Sequence, residues 1–465
     1  MENKMLLSYY GDDFTGSTDV MEALAINGIP TALFLKTPSP DEVANFSFKN
    51  KNLAGKDGKL KAFGVAGISR SLTPDQMDEE LPPIFEKISR IPTKFFHYKV
   101  CSTFDSSPHL GNIGHATDLA FEFFPSNYIP LIVGAPSINR FSVFGNLFAK
   151  VGETTYRLDR HPTMSKHPVT PMHEADLRLH IAKQTYRNTA LMDIFALELP
   201  EEERKQKFLS LHKESGEYVL FDILNKDHLL KVGQLIAESA GNPSQLLVGS
   251  SGIEYAICAY LQQQKIITKP EVNTSVGEAD QILIMSGSAS PVTQVQIEWI
   301  QNLGFVGIRI NTLNLANPQA SNEEINNVKT AAKEAINEGK SVVIYSVLGP
   351  EDPAIEATKD YIQKHSDEKS ISAILAVAQG QIMKGLLEET GIRRAAVAGG
   401  DTSGYVARSL GIYALETMVP IAPGAPLCLA HSYQHIFDGL QIVLKGGQNG
   451  NERFFESVLK GELLL

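Results

Sequence analysis

Cysteine is scarce in this sequence, which contains only Cys101, Cys258 and Cys428 and no Cys-x-x-Cys pair. An odd number at wide spacing argues against a disulfide framework and against a structural zinc site, so we expect buried free thiols. Long apolar runs are also absent: no stretch approaches the length of a membrane-spanning helix, and the N-terminus fits neither a signal peptide nor a transit peptide. These absences favour a cytoplasmic protein that has no membrane partner.

Basic residues are outnumbered by acidic ones. The 465 residues include 42 Lys and Arg against 53 Asp and Glu, a formal net charge of −11, and no Lys/Arg-rich run occurs. This balance disfavours nucleic acids and anionic membranes as partners, although a local basic pocket can still bind a small anion. A chain of this length exceeds a single ordinary core, so we expect two domains.

Two common nucleotide motifs are missing. The nearest match to a P-loop, Gly339-Lys340-Ser341, has Glu334 where the first glycine belongs. No GxGxxG follows the first predicted strand, which counts against an ordinary dinucleotide-binding fold. A nucleotide site in this chain would therefore use other glycine-rich turns.

The first stretch that carries chemistry is MLLSYYGDDFTGSTDV, residues 5–20. It predicts a buried strand, a turn with two acids, Asp12 and Asp13, and a helix that begins near Thr15. In a parallel sheet this turn lies at the carboxyl edge, where open α/β sheets bind ligands. The alternative is that Asp13 or Thr15 merely caps the helix. Because one acid suffices for a cap and two adjacent acids repel each other, we favour a functional role.

Strand and helix patterns alternate along the chain. The alternation predicts an α/β fold of two domains, each with a mainly parallel sheet flanked by helices. We assign residues 1–264 to the first domain, the polar residues 265–279 to a linker and residues 280–465 to the second domain.

An irregular region interrupts the alternation in the first domain. Residues 140–158 predict a hairpin with its turn near Gly152. Residues 159–172, DRHPTMSKHPVTPM, hold too many prolines for a regular element. A loop of that length inside a domain is more often functional than idle. The alternation resumes with a strand predicted at residues 190–197.

The second domain has three glycine-rich turns at the exits of predicted strands. They are SGSAS at residues 286–290, GGDTSG at 399–404 and KGGQNG at 445–450. Glycine lets backbone N–H groups approach an anion, and a helix N-terminus adds a favourable partial charge. One such turn is weak evidence, because helix–strand connections use glycine for steric reasons alone. Three in one domain predict a phosphate or nucleotide site, and with the acids of the first domain they fit a two-substrate phosphoryl transferase.

Seven motifs stand in the order and spacing of one known family. They are GDDFTGS, KVCSTFDSSPHLGNIG, HPVTPM, SGSAS, GGDTSGYVARSLGI, PGAPL and LKGGQNG. Through them the chain resembles the four-carbon acid sugar kinase family over nearly its whole length. The resemblance implies an N-terminal acid-sugar domain and a C-terminal nucleotide domain that close over both substrates. It also implies that ATP, with Mg²⁺, phosphorylates an acid sugar such as threonate, erythronate or an oxo-tetronate in carbohydrate catabolism, and it allows a homodimer.

The motifs also suggest site residues. Expected at the acid-sugar site are Asp12, Asp13, Thr15, Arg70, Ser102, Thr103, Asp105, Arg140 and His167. Expected around ATP are Ser286, Ser288, Gly399, Gly400, Thr402, Ser403, Gly446 and Gly447. Many members have KxDSTLRGNIG where this chain has KVCSTFDSSPHLGNIG, so an arginine that could hold a carboxylate is absent and Asp105 is present. The last motif reads GGQNG where the family tends towards GGNFG.

Three acids compete for the catalytic role. Asp12 is our candidate for the acid that accepts or orients the proton of the attacking hydroxyl, with Asp13 orienting the sugar hydroxyls, or with these roles exchanged. Asp401, among glycines at a helix start, resembles the GxGD base of ribokinase-type sugar kinases. Its spacing leaves a base, a water-mediated Mg²⁺ ligand and a helix cap equally open.

Other polar residues are ambiguous. Lys99 and Lys445 lie beside polar turns and could contact a carboxylate or a phosphate, but a solvated lysine is the commoner outcome. His161, His167 and His173 lack the HxxxH spacing of a zinc site, so we expect His167 to serve loop structure or contact the substrate. Two alternative functions stay open: a non-catalytic protein that binds nucleotide or sugar acid, and a ribokinase-like sugar kinase with Asp401 as its base.

Overall fold

The computed structural model describes residues 5–55, 57–167, 169–211, 216–241, 244–365 and 371–464, without the side chains of His365, Asp401 and residues 371–373. The chain forms two compact units, Met1–Glu271 and Val272–Leu465. We call them the N-terminal unit and the C-terminal unit. Their boundary falls inside the segment proposed as the linker.

The elements of the N-terminal unit alternate through most of its length. Its strands are β1 (Met5–Gly11), β2 (Thr31–Phe34), β3 (Ala62–Ala66), β4 (Thr93–Lys99), β5 (Tyr128–Ile132), β6 (Arg140–Val143), β7 (Asn146–Val151), β8 (Thr154–Arg157), β9 (Thr189–Met192), β10 (Glu217–Phe221) and β11 (Gln245–Gly249). Its helices are α1 (Phe14–Ile26), α2 (Pro40–Ala44), α3 (Pro74–Ser89), α4 (Ile113–Phe123), α5 (Leu177–Ile181), α6 (Ile194–Glu198), α7 (Glu201–Leu209), α8 (Lys226–Ser239) and α9 (Gly252–Gln263).

Eight strands of this unit form a parallel sheet in the order β2-β3-β1-β4-β11-β5-β10-β9. The central strands are apolar and buried on both faces, as parallel strands between helices require. In β1, for example, Leu7 and Tyr9 are fully buried. The register pairs Gly11 with both Ala66 and Lys99, so β1, β3 and β4 end level with one another. The predicted α/β fold is confirmed.

Two local predictions in this unit were wrong. The hairpin predicted for residues 140–158 is a three-stranded antiparallel sheet, β6-β7-β8, which turns at Phe144-Gly145 as well as near Gly152. The first turn was missed because Phe144 adopts a positive φ of 51°. A sequence predicts such a turn only where glycine, asparagine or aspartate occupies the position. The strand predicted at residues 190–197 stops at Met192, because Asp193 accepts a hydrogen bond from Ala196 N at 2.8 Å and starts α6.

The C-terminal unit has its own set of elements. Its strands are β12 (Leu283–Ser286), β13 (Val306–Arg309), β14 (Val342–Tyr345), β15 (Arg394–Ala398), β16 (Ile412–Val419), β17 (Leu427–Ser432) and β18 (Gln441–Lys445). Its helices are α10 (Pro291–Asn302), α11 (Thr312–Ala316), α12 (Ser321–Asn337), α13 (Pro353–His365), α14 (Ile371–Thr390), α15 (Gly400–Ser409) and α16 (Phe454–Lys460).

The sheet of the C-terminal unit has the strand order β13-β14-β12-β15-β18-β17-β16. The first five strands are parallel, and β17 runs antiparallel to both of its neighbours. β16 and β17 were not predicted, since most of their residues are buried and the strands lack clear polar alternation. None of the described helices is long and apolar enough to cross a lipid bilayer.

Close packing inside the N-terminal sheet can be tested at Gly64 on β3. A Cβ atom there would lie 1.9 Å from the ring of Tyr9, which is fully buried and whose hydroxyl donates to Ser17 O at 2.9 Å. We expect Gly64→Ala to lower the free energy of unfolding by about 1–3 kcal/mol, because the ring cannot move without breaking that hydrogen bond. Denaturant unfolding measures this. Gly241→Ala, where a Cβ meets nothing within 4 Å, is the control, and equal losses in both variants would contradict the packing.

Candidate functional site

Charged side chains gather at the carboxyl edge of the N-terminal sheet. Asp12 follows β1, Arg70 lies on the short 3-10 turn after β3, and Lys99 ends β4. Backbone hydrogen bonds tie these turns together: Asp12 N donates to Lys99 O at 2.9 Å, and Arg70 N donates to Asp12 O at 3.0 Å. The three side chains therefore meet because the three strands end level.

Arg70 binds both adjacent acids. Its Nε and Nη2 donate to the two oxygens of Asp12 at 3.1 and 2.7 Å, and its Nη1 donates to Asp13 Oδ2 at 2.8 Å. Such paired, charge-assisted hydrogen bonds exploit the planar fork of arginine. Asp12 is only 2% exposed, whereas the side chains of Arg70 and Asp13 are about a quarter exposed, at 25% and 29%. We call Asp12, Asp13 and Arg70 the acid–arginine cluster.

Burial shapes the protonation of this cluster. It raises the pKa of Asp12 above its ordinary value, and Arg70 opposes that rise. Burial would lower the pKa of Arg70, but the two carboxylates outweigh it, so the pKa of Arg70 lies well above its usual value. Arg70 therefore stays charged, and Asp12 is a more basic carboxylate than an exposed one, as a proton acceptor requires.

Asp13 has a second role. Its Oδ1 accepts a hydrogen bond from Gly16 N at 2.7 Å and caps α1, so the cap that was the alternative interpretation is present. Its other oxygen still binds Arg70, because a carboxylate can serve two donors at once. Thr15 lies partly exposed in the first turn of the same helix.

Lys99 is buried, at 1% exposure, so the expectation of a solvated lysine was wrong. Its Nζ lies 3.5 Å from Asp19 Oδ2 on α1. Burial would lower the pKa of Lys99, but Asp19, Asp12 and Asp13 together raise it, and the amine stays charged. Asp19 was not predicted as a site residue; it lies within α1, past the turn that drew attention. The residues up to the end of β4 thus contribute three acids and two cations to this edge.

The segment after β4 brings further expected residues to this edge. Cys101 Sγ lies 3.0 Å from Thr103 Oγ1, and Thr103 Oγ1 donates to Asp105 Oδ1 at 2.7 Å. Burial raises the pKa of Cys101 to about 11, so its thiol is protonated at neutral pH. Ser102 is partly exposed between them.

Arg140, at the start of β6, is within electrostatic range of Cys101 and Asp105. Its Nη1 donates only to the backbone, to Ile138 O at 3.1 Å and Asn139 O at 3.2 Å, and its Nε is buried without a partner among the described residues. Burial lowers the pKa of Arg140, and the two acidic neighbours oppose this. Arg140 is therefore a cation whose described contacts include no carboxylate.

The proline-rich loop holds itself together through its histidines. His167 Nδ1 accepts from Thr170 N at 3.1 Å, and His161 Nδ1 accepts from Met164 N at the same distance. Burial and nearby Arg140 lower the pKa of His161, so it is neutral at neutral pH. These bonds agree with a loop-forming role for His167, and no described bond joins it to the acid–arginine cluster.

In the C-terminal unit, the three glycine-rich turns leave the adjacent strands β12, β15 and β18. Gly287 N donates to Ala398 O at 2.9 Å, and Gly399 N donates to Lys445 O at 3.0 Å. Each turn is thus tied to the end of the next strand, which brings the residues expected around ATP into one region.

Glycine allows these turns to touch. A side chain at Gly287 would come within 2.1 Å of Thr402 Oγ1, and one at Gly447, which follows Gly446, within 2.6 Å of Ser288 Oγ. Larger residues would force the turns apart. The absence of side chains at these glycines therefore allows the three turns to pack against one another.

Gln379 of α14 joins two of the turns. Thr402 Oγ1 donates to its Oε1 at 3.1 Å, and its Nε2 donates to Ser286 O at 3.3 Å. Gln379 is 1% exposed. It was not predicted because it lies on a long helix, outside every motif.

α15 begins at Gly400, directly after Gly399, so its N-terminus adjoins the turns. Ser403 in its first turn is 1% exposed, and its Oγ has no partner among the described residues. The side chain of Asp401 lies outside the described residues, so its three proposed roles stay open. Lys445 is fully buried, and here too the expectation of a solvated lysine was wrong.

Comparisons with known proteins agree with this division. A model described as a sugar-binding N-terminal domain matches residues 7–257, and one described as a nucleotide-binding C-terminal domain matches residues 283–455. The chain is 41% identical over 464 residues to the 3-oxo-isoapionate kinase of Paraburkholderia graminis, covering 99% of this chain and 95% of that one. It is 29% identical to the 3-oxo-tetronate kinase of Pseudomonas savastanoi pv. phaseolicola, covering 98% and 97%. The chain belongs to the four-carbon acid sugar kinase family.

Solved structures of other proteins share the fold of this kinase. A Salmonella typhimurium LT2 protein described as a putative tRNA synthase superposes with a TM-score of 0.74 at 22% identity, covering 98% of both chains. The Haemophilus influenzae protein HI1011 superposes with a TM-score of 0.68 at 22% identity, covering 97% of this chain and 98% of that one. At such identity the likeness concerns the fold alone.

Arg70→Ala tests the acid–arginine cluster. The variant leaves Asp12 buried without its bidentate partner, so we expect the free energy of unfolding to fall by about 3 kcal/mol at neutral pH. The loss should shrink as the pH falls through the raised pKa of Asp12, because a protonated carboxyl no longer needs the cation. Denaturant unfolding at several pH values measures both effects.

The matched control is Arg90→Ala, which removes an exposed arginine paired with Glu86. Exposed pairs contribute little, so this variant should lose less than about 1 kcal/mol. Equal losses from both substitutions would contradict the structural importance assigned to Arg70.

Proposed function

We propose that this kinase transfers the γ-phosphoryl group of MgATP to a hydroxyl group of a small 3-oxo acid sugar in carbohydrate catabolism. The acid sugar binds at the carboxyl edge of the N-terminal sheet, and the nucleotide binds on the glycine-rich turns of the C-terminal unit. The names of the relatives, 3-oxo-isoapionate kinase and 3-oxo-tetronate kinase, support this substrate class. The observation that carries the proposal is Asp12, a buried carboxylate of raised pKa at the expected edge.

Asp12 acts as the base in this proposal. It accepts the proton of the attacking hydroxyl as the oxygen bonds to phosphorus, and Arg70 holds the carboxylate in one orientation. Both oxygens of Asp12 already accept one hydrogen bond from Arg70, yet each retains a second lone pair for the substrate. Asp13, partly exposed, is placed to orient a neighbouring sugar hydroxyl.

Arg140 and Lys99 supply positive charge for an anionic substrate. Arg140 has donor groups left over, since within the described part of the chain only its Nη1 makes hydrogen bonds, and those reach backbone oxygens. We assign it to the substrate carboxylate, where it replaces the arginine missing from KVCSTFDSSPHLGNIG. Thr103 and Asp105 then face the hydroxyl groups next to that carboxylate, and Lys99 offsets charge on the transferring phosphoryl group.

Mg²⁺ enters as part of MgATP in this proposal. The described residues contain no group of three His, Cys, Asp or Glu side chains that could hold a metal ion. The oxygens of Asp12 and Asp13 are engaged by Arg70 and Gly16 N, so they form no ready cage. Mg²⁺ commonly binds through substrate phosphates, waters and one or two carboxylates, and such a site needs no cluster in the free protein. The homodimer and the cytoplasmic location stay predictions.

Asp12→Asn tests the assignment of the base. An amide cannot accept the proton, so we expect kcat/KM to fall by about 10²–10⁴-fold while the Kd for MgADP changes less than about twofold. Steady-state kinetics and calorimetry measure these quantities. Asp401→Asn tests Asp401 as the alternative base. The control is Asp57→Asn, which changes an exposed acid paired with Lys61. Full activity of Asp12→Asn together with loss in Asp401→Asn would transfer the role to Asp401, as in a ribokinase-like kinase.

Substrate class is tested by release of ADP. The wild-type protein is incubated with MgATP and a panel of four-carbon and branched acid sugars in hydroxy and 3-oxo forms. We expect turnover with a 3-oxo acid sugar and at least about tenfold lower kcat/KM for the matching sugar without the carboxylate, because Arg140 would lose its partner. Turnover of neutral sugars at equal rates would contradict the acid-sugar assignment.

A further inference from the structure

Lys445 is enclosed in the C-terminal unit at the end of β18. It is fully buried, and its Nζ lies 3.1 Å from Thr293 Oγ1 in the first turn of α10. The rings of Phe454 and Phe455 lie 5.5 and 5.9 Å from the same nitrogen. An ammonium has three donor hydrogens, and here one hydroxyl is the hydrogen-bond acceptor described.

The elements around Lys445 provide it with no described counter-charge. Their ionisable side chains are engaged elsewhere: Glu298 of α10 with Gln294, Glu456 of α16 with Arg453 and Trp299, Lys460 of α16 with Glu278, Arg394 of β15 with backbone oxygens, His431 of β17 near Glu416, and Arg408 of α15 over the Tyr405 ring. The side chain of Asp401 is outside the described residues. Burial alone lowers the pKa of Lys445 to about 7.

Lys445 lies beside the glycine-rich turns, which are the proposed site for the nucleotide phosphates. The backbone carbonyl oxygen of Lys445 accepts a hydrogen bond from Gly399 N at 3.0 Å, and Thr293 Oγ1 donates to Gly447 O at 2.9 Å. Two of the three turns are therefore fixed directly around the lysine. The buried Ser403 Oγ, which has no hydrogen-bond partner among the residues described, lies in the helix that begins within one of them. The helix N-termini here add positive potential, which disfavours a cation until an anion binds.

We propose that Lys445 couples nucleotide binding to the uptake of one proton: near pH 8 its amine is largely neutral in the free protein and becomes an ammonium when the phosphates of MgATP or MgADP occupy the turns. This inference rests on the proposed nucleotide site. The proton comes from solvent, and no covalent bond to the ligand forms. The gain is electrostatic, because the phosphates supply a negative charge that the described side chains around Lys445 do not provide.

The sign of the pH dependence follows from linkage. The complex binds a proton that the free protein lacks, so affinity falls as the pH rises above the pKa of the free amine, by up to about tenfold per pH unit. Below about pH 6 the amine is protonated in both states, and affinity no longer depends on it.

Calorimetry of the full-length protein with MgADP tests the proposal. Titrations at about pH 8 in two buffers of different ionisation enthalpy give the number of protons taken up, and the phosphates of Mg²⁺-bound ADP are already ionised at that pH. We expect uptake of about one proton per ADP near pH 8 and close to none near pH 6. Lys445→Met should abolish the uptake. Lys460→Met, which removes a partly exposed lysine paired with Glu278, should retain it.

The possible results distinguish the role of Lys445 from the proposed nucleotide site. Binding of MgADP without proton uptake by the wild-type protein would overturn the role of Lys445 and leave the nucleotide site intact. Undiminished uptake in a folded Lys445→Met variant would also overturn it. Absence of MgADP binding by the folded wild-type protein would instead overturn the proposed function. The wild-type pH series needs no variant, so the test stands even where Lys445→Met fails to fold.

Discussion

The N-terminal site depends on the level ending of three parallel strands. Because Gly11 is paired with Ala66 and with Lys99, the residues that follow β1 and β3 emerge beside the end of β4. One guanidinium, Arg70, then lies against two adjacent acids and compensates a repulsion that would otherwise oppose folding. A shift of one residue in this register would turn these side chains away from one another. The chemistry proposed for the edge therefore depends on strand pairing far more than on the loops around it.

Two buried lysines show how the units differ electrostatically. Lys99 lies among three acids, so it is charged before any ligand arrives, and the edge around it is nearly balanced. Lys445 has no described acid nearby, and burial depresses its pKa. The first arrangement suits a site that must hold a substrate and move a proton. The second leaves a deficit of negative charge, which a nucleotide phosphate would fill.

Local sequence patterns predicted the features that are determined by residues close together in the chain. The alternation of strands and helices, the acids at the end of β1 and the glycine-rich turns all depend on neighbouring residues, and the structure has them where they were expected. The missed features come from distant parts of the chain. Asp19 and Gln379 join the sites only because α1 and α14 pack against the sheets, and the burial of both lysines follows from tertiary packing that no single motif encodes. Asp13 illustrates the overlap, since it is both a helix cap and a ligand of Arg70.

Binding of the acid sugar at the carboxyl edge of the N-terminal sheet can be seen in a crystal structure of the protein with MgADP and a 3-oxo acid sugar. We expect the sugar carboxylate within hydrogen-bonding distance of Arg140 and a hydroxyl oxygen within about 3 Å of an Asp12 oxygen. A sugar bound elsewhere, or one whose hydroxyl groups all lie away from Asp12 and beside Asp401, would contradict this expectation.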